Sequence, residues 1–190
     1  MEQLLGVVLC GGLSKRMGSD KGLLPIGETF WAKKVAGKLT ALNIQVVYSI
    51  NRTQLANYRQ HISRSELVID NVPIEGPLKG LITVHQQFPV RPLLLMACDM
   101  LDMDTATITN TIEQYQQCPG YDFYVHQDAE FAQPFCGIYT SPGLAAILVK
   151  AADHQITKFS MQHVLNGANT KRFPIENCKA FSNYNEKPNA

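Results

Sequence analysis

The stretch Leu9-Cys10-Gly11-Gly12-Leu13-Ser14-Lys15-Arg16-Met17-Gly18-Ser19-Asp20-Lys21 collects three glycines, hydroxyls and three cations in one short segment. Gly11, Gly12 and Gly18 permit positive φ and close approach of the backbone, so successive N–H groups can be aimed at a single point. Ser14 adds a hydroxyl donor, and Lys15, Arg16 and Lys21 add long cationic side chains. Fixed amides combined with counter-charges suit a multiply charged phosphate such as a triphosphate. The segment is neither a P-loop, which ends Gly-Lys-Ser/Thr, nor the Gly-x-Gly-x-x-Gly dinucleotide fingerprint. Taken alone, its glycines and charges also fit a plain solvated connection.

Two carboxylates add chemistry. Asp99 ends the apolar run Leu93-Leu94-Leu95-Met96-Ala97-Cys98, and Asp70 ends Leu67-Val68-Ile69. Mg²⁺ is a hard cation that takes one or two carboxylates and completes its shell with water and phosphate oxygens, so Asp99 is the metal-ligand candidate. Asp70, close to Gly76 in Glu75-Gly76-Pro77-Leu78-Lys79-Gly80, is a candidate to line a nucleoside pocket. Either aspartate alone could equally cap a turn or a helix; the conjunction of glycine-rich loop, Asp70 and Asp99 on three strand ends favours a binding site.

That conjunction requires a particular frame. Leu4 to Leu9 is a short continuous apolar run, the pattern of a strand covered on both faces of a parallel sheet. Phe30 to Leu42 spaces Phe30, Trp31, Val35, Leu39 and Leu42 along one helical face, with Lys33, Lys34 and Lys38 on the other. The alternation continues: a strand over Ile44 to Ile50, a helix over Thr53 to Ile62, a strand over Leu67 to Ile69, a helix over Leu78 to Phe88, a strand over Leu93 to Met96. Asp104 is placed to cap a helix running to Gln117. Such a rhythm implies right-handed βαβ units in a three-layer, mainly parallel α/β sheet, whose ligands bind beyond the carboxyl ends of the strands. Further strands are expected over Phe123 to His126 and Phe135 to Tyr139, a helix from Pro142 with Ser141 as N-cap, a second helix over Lys158 to Leu165, and a frayed tail over Glu186 to Ala190.

Composition narrows the class. The 190 residues carry a formal net charge of +1, with 45% hydrophobic and 17% charged residues, as expected for one globular domain spanning 1–190 and not for a nucleic-acid binder. The N-terminus shows no secretory pattern and no run approaches a membrane span, so neither a membrane nor a nucleic acid is an expected partner. The five cysteines have no Cys-x-x-Cys spacing, which fits a reducing cytoplasm. The histidines show no metal-ligand spacing either.

Leu-Cys-Gly-Gly-x-Ser-x-Arg-Met-Gly-x-Asp-Lys, then Gly-Pro-Leu-x-Gly, then Cys-Asp-Met, resembles the molybdenum cofactor guanylyltransferase family within the α/β (Rossmann-like) nucleotidyltransferases. The resemblance runs from about Leu5 to Asn185. It implies transfer of GMP from GTP to the terminal phosphate of molybdopterin, with Mg²⁺ as cofactor and molybdoenzyme chaperones as candidate partners. It further implies that Leu9, Cys10 and Gly11 contact the nucleotide through backbone, that Lys21 holds phosphates, that Asp70 contacts the nucleoside and that Asp99 binds Mg²⁺. Arg16 and Lys21 would stabilise departing pyrophosphate. Asn183 and Asn185, in Phe181-Ser182-Asn183-Tyr184-Asn185, match the family's Phe-x-Asn-x-Asn segment on the acceptor side. The match departs at Leu101, where proline is common and loop rigidity is set, at Ser49, where an asparagine can contact nucleotide, and at Glu186-Lys187 in place of Thr-Pro. Asn51, two positions beyond Ser49, lies on the same strand face. Cytidylyl transfer to molybdopterin, transfer to a sugar phosphate, and a non-catalytic nucleotide- or pterin-binding homologue are the alternatives at this point.

Overall fold

The computed structural model describes residues 3–11, 20–152 and 160–184. Among them a seven-stranded sheet is built from β1 (Leu5–Leu9), β4 (Gln45–Ile50), β5 (Leu67–Ile69), β6 (Leu93–Ala97), β7 (Phe123–Gln127), β8 (Ala132–Tyr139) and β9 (Thr170–Pro174), in the order β5-β4-β1-β6-β8-β7-β9. β2 (Pro25–Ile26) and β3 (Thr29–Phe30) form a separate hairpin turned by Gly27 at φ 56°. β1, β4, β5 and β6 are mutually parallel, β8 runs antiparallel between β6 and β7, and β7 pairs in parallel with β9.

The apolar runs are continuous because helices cover both faces. Val8, Val46, Tyr48, Leu94 and Met96 pack against α1 (Trp31–Thr40) and α4 (Thr105–Gln117). Their alternating neighbours Leu5, Val7, Val47, Leu93 and Leu95 pack against α3 (Pro77–Gln87), α5 (Ser141–Ala152) and α6 (Met161–Asn166). This is the period-two alternation of a three-layer sheet. Gly6 lets α1 approach: a Cβ there would stand 2.7 Å from Leu39 Cδ1. The chain moves from β1 outward to β4 and β5, then recrosses to β6 on the other flank of β1, so the carboxyl ends of β1, β4 and β6 border a topological switch point.

Asp104 caps α4, its carboxylate accepting from Thr107 N–H at 2.7 Å, as the spacing predicts. Four expectations change. The helix over Thr53 to Ile62 contracts to a 3₁₀ turn at Arg52–Gln54 and α2 at Leu55–Tyr58. The chain then tightens, with Gln60 and His61 N–H bonding Asn57 and Tyr58 carbonyls, because Gln54 and Tyr58 are both drawn toward the glycine-rich segment. The cap of α5 is Thr140, whose Oγ1 accepts from Gly143 N–H at 3.2 Å; Ser141 instead donates to Pro89 O. The last helix starts at Met161, after Ser160, whose hydroxyl accepts from His163 N–H. β9 was not expected, since only Phe173 of its five residues is buried and no alternation marks it. Lys158 and Glu186 to Ala190 lie outside the described residues.

Candidate active site at the carboxyl edge

β1 ends in a segment whose carbonyls are all occupied. Leu9 O accepts from Cys98 N–H at 3.1 Å, Cys10 O from Gln54 Nε2 at 3.0 Å, and Gly11 O from Asn51 Nδ2 at 2.5 Å. Cys10 N–H is likewise taken, by Ser49 O at 2.9 Å. The chain therefore turns its acceptors into the protein at the point where the glycine-rich segment begins. Gly12, Ser14 and Arg16 lie outside the described residues.

Beside Gly11 stands Asp70, close enough that a Cβ on the glycine would sit 2.7 Å from Asp70 Oδ2. Asp70 Oδ1 accepts from the buried Ser49 hydroxyl at 2.6 Å. Burial pushes the Asp70 carboxyl upward in pKa, opposed by the Ser49 hydrogen bond and by Lys79. α3 is seated against this group, since a Cβ on Gly80 would collide with Ser49 Oγ and lie 2.7 Å from Leu9 Cδ2. Gly76, at φ 74°, starts the helix ahead of Pro77 at its first turn. Ser49, Asn51, Asp70 and Gly11 thus form one cluster.

The second cluster is built on Asp99. Lys21 Nζ donates to Asp99 Oδ2 at 3.1 Å and to Tyr184 O at 3.1 Å. The side chains of Lys21 and Asp99 keep 19% and 17% of their surface exposed, so a ligand can reach the pair. Tyr184 N–H bonds Asp99 O at 3.4 Å, its hydroxyl donates to Asp102 Oδ2 at 2.7 Å, and its ring meets Trp31 edge-on. This brings the exposed Asn183 to the same edge; Asn185 lies outside the described residues. Beneath, Lys38 Nζ donates to Leu101 O at 2.6 Å and Met100 O at 3.4 Å, holding the turn in which Leu101 replaces proline. Leu101 itself is buried.

Among the described residues no three His, Cys, Asp or Glu side chains converge on a point. The Lys21 ammonium nevertheless lies between a carboxylate and a carbonyl oxygen, a hard-oxygen position suited to a cation such as Mg²⁺ when phosphates complete the shell. Sequence reasoning had assigned no role to Gln54, Tyr58, Lys38 or Tyr184. Their contacts run largely through backbone carbonyls, which leave no composition signal.

Fold and edge cluster together define a three-layer α/β protein with a polar, partly exposed site at a topological switch point. The MobA-like NTP transferase domain matches residues 6–167. A molybdenum cofactor guanylyltransferase of Shewanella frigidimarina is 32% identical over 168 residues, covering 85% of this chain and 82% of that protein. A molybdenum cofactor biosynthesis bifunctional protein of Synechocystis is 30% identical over 142 residues; the aligned region covers 72% of this chain and 39% of that longer protein. The crystal structure of molybdopterin-guanine dinucleotide biosynthesis protein A from Archaeoglobus fulgidus superposes with a TM-score of 0.77 at 19% identity, covering 96% of this chain and 93% of that one, and shows the same fold. The chain belongs to the MobA-like NTP transferase family and is a nucleotidyltransferase.

Proposed function

We propose that this protein transfers GMP from GTP to the terminal phosphate of molybdopterin, forming a guanine dinucleotide cofactor and releasing pyrophosphate. We take residues 1–190 as one catalytic domain working in the cytoplasm. The observation that carries the reading is the Lys21–Asp99 pair, which joins the end of the glycine-rich segment to the end of β6 at 3.1 Å. The names of the Shewanella and Synechocystis relatives supply the acceptor and the base.

A phosphate monoester is already nucleophilic at neutral pH, so no side-chain nucleophile is needed; the protein's task is alignment and charge neutralisation. Lys21, with Arg16 and the amides around Gly12 and Ser14, would hold the triphosphate and stabilise departing pyrophosphate. Asp70, with Ser49 and Asn51, would border the nucleoside beside Gly11 and Gly76. Asn183 and Asn185 would face the acceptor, which enters from the Tyr184 side. Asp99 would hold Mg²⁺, whose bound charge would lessen repulsion between the two anions. No helix among the described residues is long and apolar enough to cross a membrane. Molybdoenzyme chaperones are candidate recipients of the product.

The deciding experiment titrates GTP, CTP, ATP and UTP with Mg²⁺ and follows pyrophosphate release on adding molybdopterin. GTP alone is expected to bind tightly and turn over; preference for CTP, or binding without release, would overturn the proposal.

A further inference from the structure

One set of hydrogen bonds at the edge is not used by the reaction above. Gln54 Nε2 donates to Cys10 O at 3.0 Å and to Asp20 Oδ2 at 2.6 Å, while its Oε1 accepts from Asn51 N–H at 2.7 Å. Asp20 Oδ1 in turn accepts from Tyr58 OH at 3.1 Å and from Gly22 N–H at 3.0 Å. Cys10 and Asp20 bracket the glycine-rich loop, so one amide group bonds both of its ends. The Asp20 carboxylate receives three donors, which suits an anchor better than a metal ligand or a base.

The fit around this anchor is close. Tyr58 is fully buried, and a Cβ on Gly22 would collide with its hydroxyl. Lys21, which reaches Asp99, is the residue next to the anchored Asp20. Fixing the ends of a loop before its ligand arrives reduces the ordering that binding must otherwise impose.

We propose that Gln54 and Tyr58 are positioning residues: acting through Asp20, they set the separation of the loop's two ends and the approach of Lys21, and so prearrange the triphosphate site without touching substrate. The proposal rests on the nucleotide reading of the site.

Gln54→Ala and Tyr58→Phe test it in the full chain. Each is expected to raise the Kd and KM for GTP about tenfold, the effect of one lost hydrogen bond to a charged group. At saturating GTP, kcat should fall by less than KM rises, since bound triphosphate restores the approach of Lys21 to the leaving group. Trypsin cleavage after Lys15 and Arg16, measured without nucleotide, should accelerate in both variants while the thermal midpoint of Tyr58→Phe stays near that of the wild type. Wild-type affinity in both variants, a loss confined to kcat, or unchanged cleavage at Lys15 and Arg16 would overturn the proposal. If the wild-type chain bound no nucleoside triphosphate, the reading of the site would fall, while the cleavage comparison would still decide whether Gln54 and Tyr58 hold the loop.

Discussion

Lys21 and Asp99, 78 positions apart in the chain, meet at 3.1 Å and neutralise each other at the mouth of the switch point. In this arrangement a protein cation occupies the carboxylate to which the proposed function assigns the metal. Asp99→Ala is therefore expected to lower kcat by about 10²–10³, the scale of one lost electrostatic contact in a transition state. The pair is partly exposed, so its removal should change stability by no more than about 1 kcal/mol. Steady-state turnover with GTP and a thermal melt check both halves; a near-normal rate would exclude Asp99 from the chemistry.

Lys21→Ala should weaken GTP more than guanosine. On the proposed reading the ammonium exchanges Asp99 Oδ2 and Tyr184 O for phosphate oxygens, and a nucleoside offers none. Titration of both ligands against wild type and variant reads the difference directly. Equal losses for the two would show that Lys21 acts on the base side or on the fold.

Asp70 links a pKa shift to stability. Burial raises its carboxyl pKa in the folded state, so the folded chain disfavours the ionised form that predominates at neutral pH. The sign follows: this contribution favours folding below the ordinary value of 3.8 and is lost as pH rises through the folded pKa. Asp70→Asn should accordingly melt higher than the wild type at pH 7. That gain should vanish as pH falls below 3.8, and GTP binding should weaken throughout. A lower midpoint at pH 7 would show that the Ser49 hydrogen bond outweighs the burial of charge.

The part of this site legible in the sequence is the part carried by strand ends. Asp70 and Asp99 each follow a short apolar run, and two such runs in a βαβ rhythm must end on the same edge. The glycine-rich segment after β1 was legible for the same reason. The 180–184 segment was found by motif, but its attachment was not, because Tyr184 binds Lys21 through a carbonyl that any residue would possess. Gln54 was hidden because Thr53 to Ile62 resembles an ordinary polar helix until its amide is seen bonding Cys10 and Asp20. The antiparallel β8 was equally hidden, since a buried strand has the same alternation whichever way it runs.

Lys38 explains how the Asp99 turn is held where Leu101 stands instead of proline. Its ammonium, driven down in pKa by burial and then by Lys34, donates to the carbonyls of Leu101 and Met100. Lys38→Met keeps the aliphatic stem and removes the Lys38 donor from Leu101 O, while Met100 O keeps Met103 N–H, so a loss of about 1–3 kcal/mol in stability is expected. Turnover should fall as well, because Asp99 opens the turn that Lys38 supports. Urea unfolding with kcat measurements on the same preparation tests this; a variant with wild-type stability and rate would show that Leu101 packing alone holds the turn.

His126 couples the fold to pH on the acid side. It is buried, its Nε2 lies 2.9 Å from Thr111 Oγ1, and its ring packs against Phe173 and Phe181. Thr111 Oγ1 also donates to Thr107 O at 3.0 Å, and a hydrogen bond with the Pro174 backbone favours the charged ring against its burial. Burial pushes its pKa from 6.5 to about 4. Between those values the unfolded chain binds a proton at this site and the folded chain does not, so stability falls on acidification, by at most about 1.4 kcal/mol per pH unit. His126→Gln retains a donor for Thr111 and cannot titrate. Its stability deficit relative to wild type, measured by urea unfolding, should be largest above pH 6.5 and shrink as pH falls toward 4. A deficit that stayed constant over that range would mean that His126 is protonated inside the folded protein, with the Pro174 backbone hydrogen bond outweighing burial.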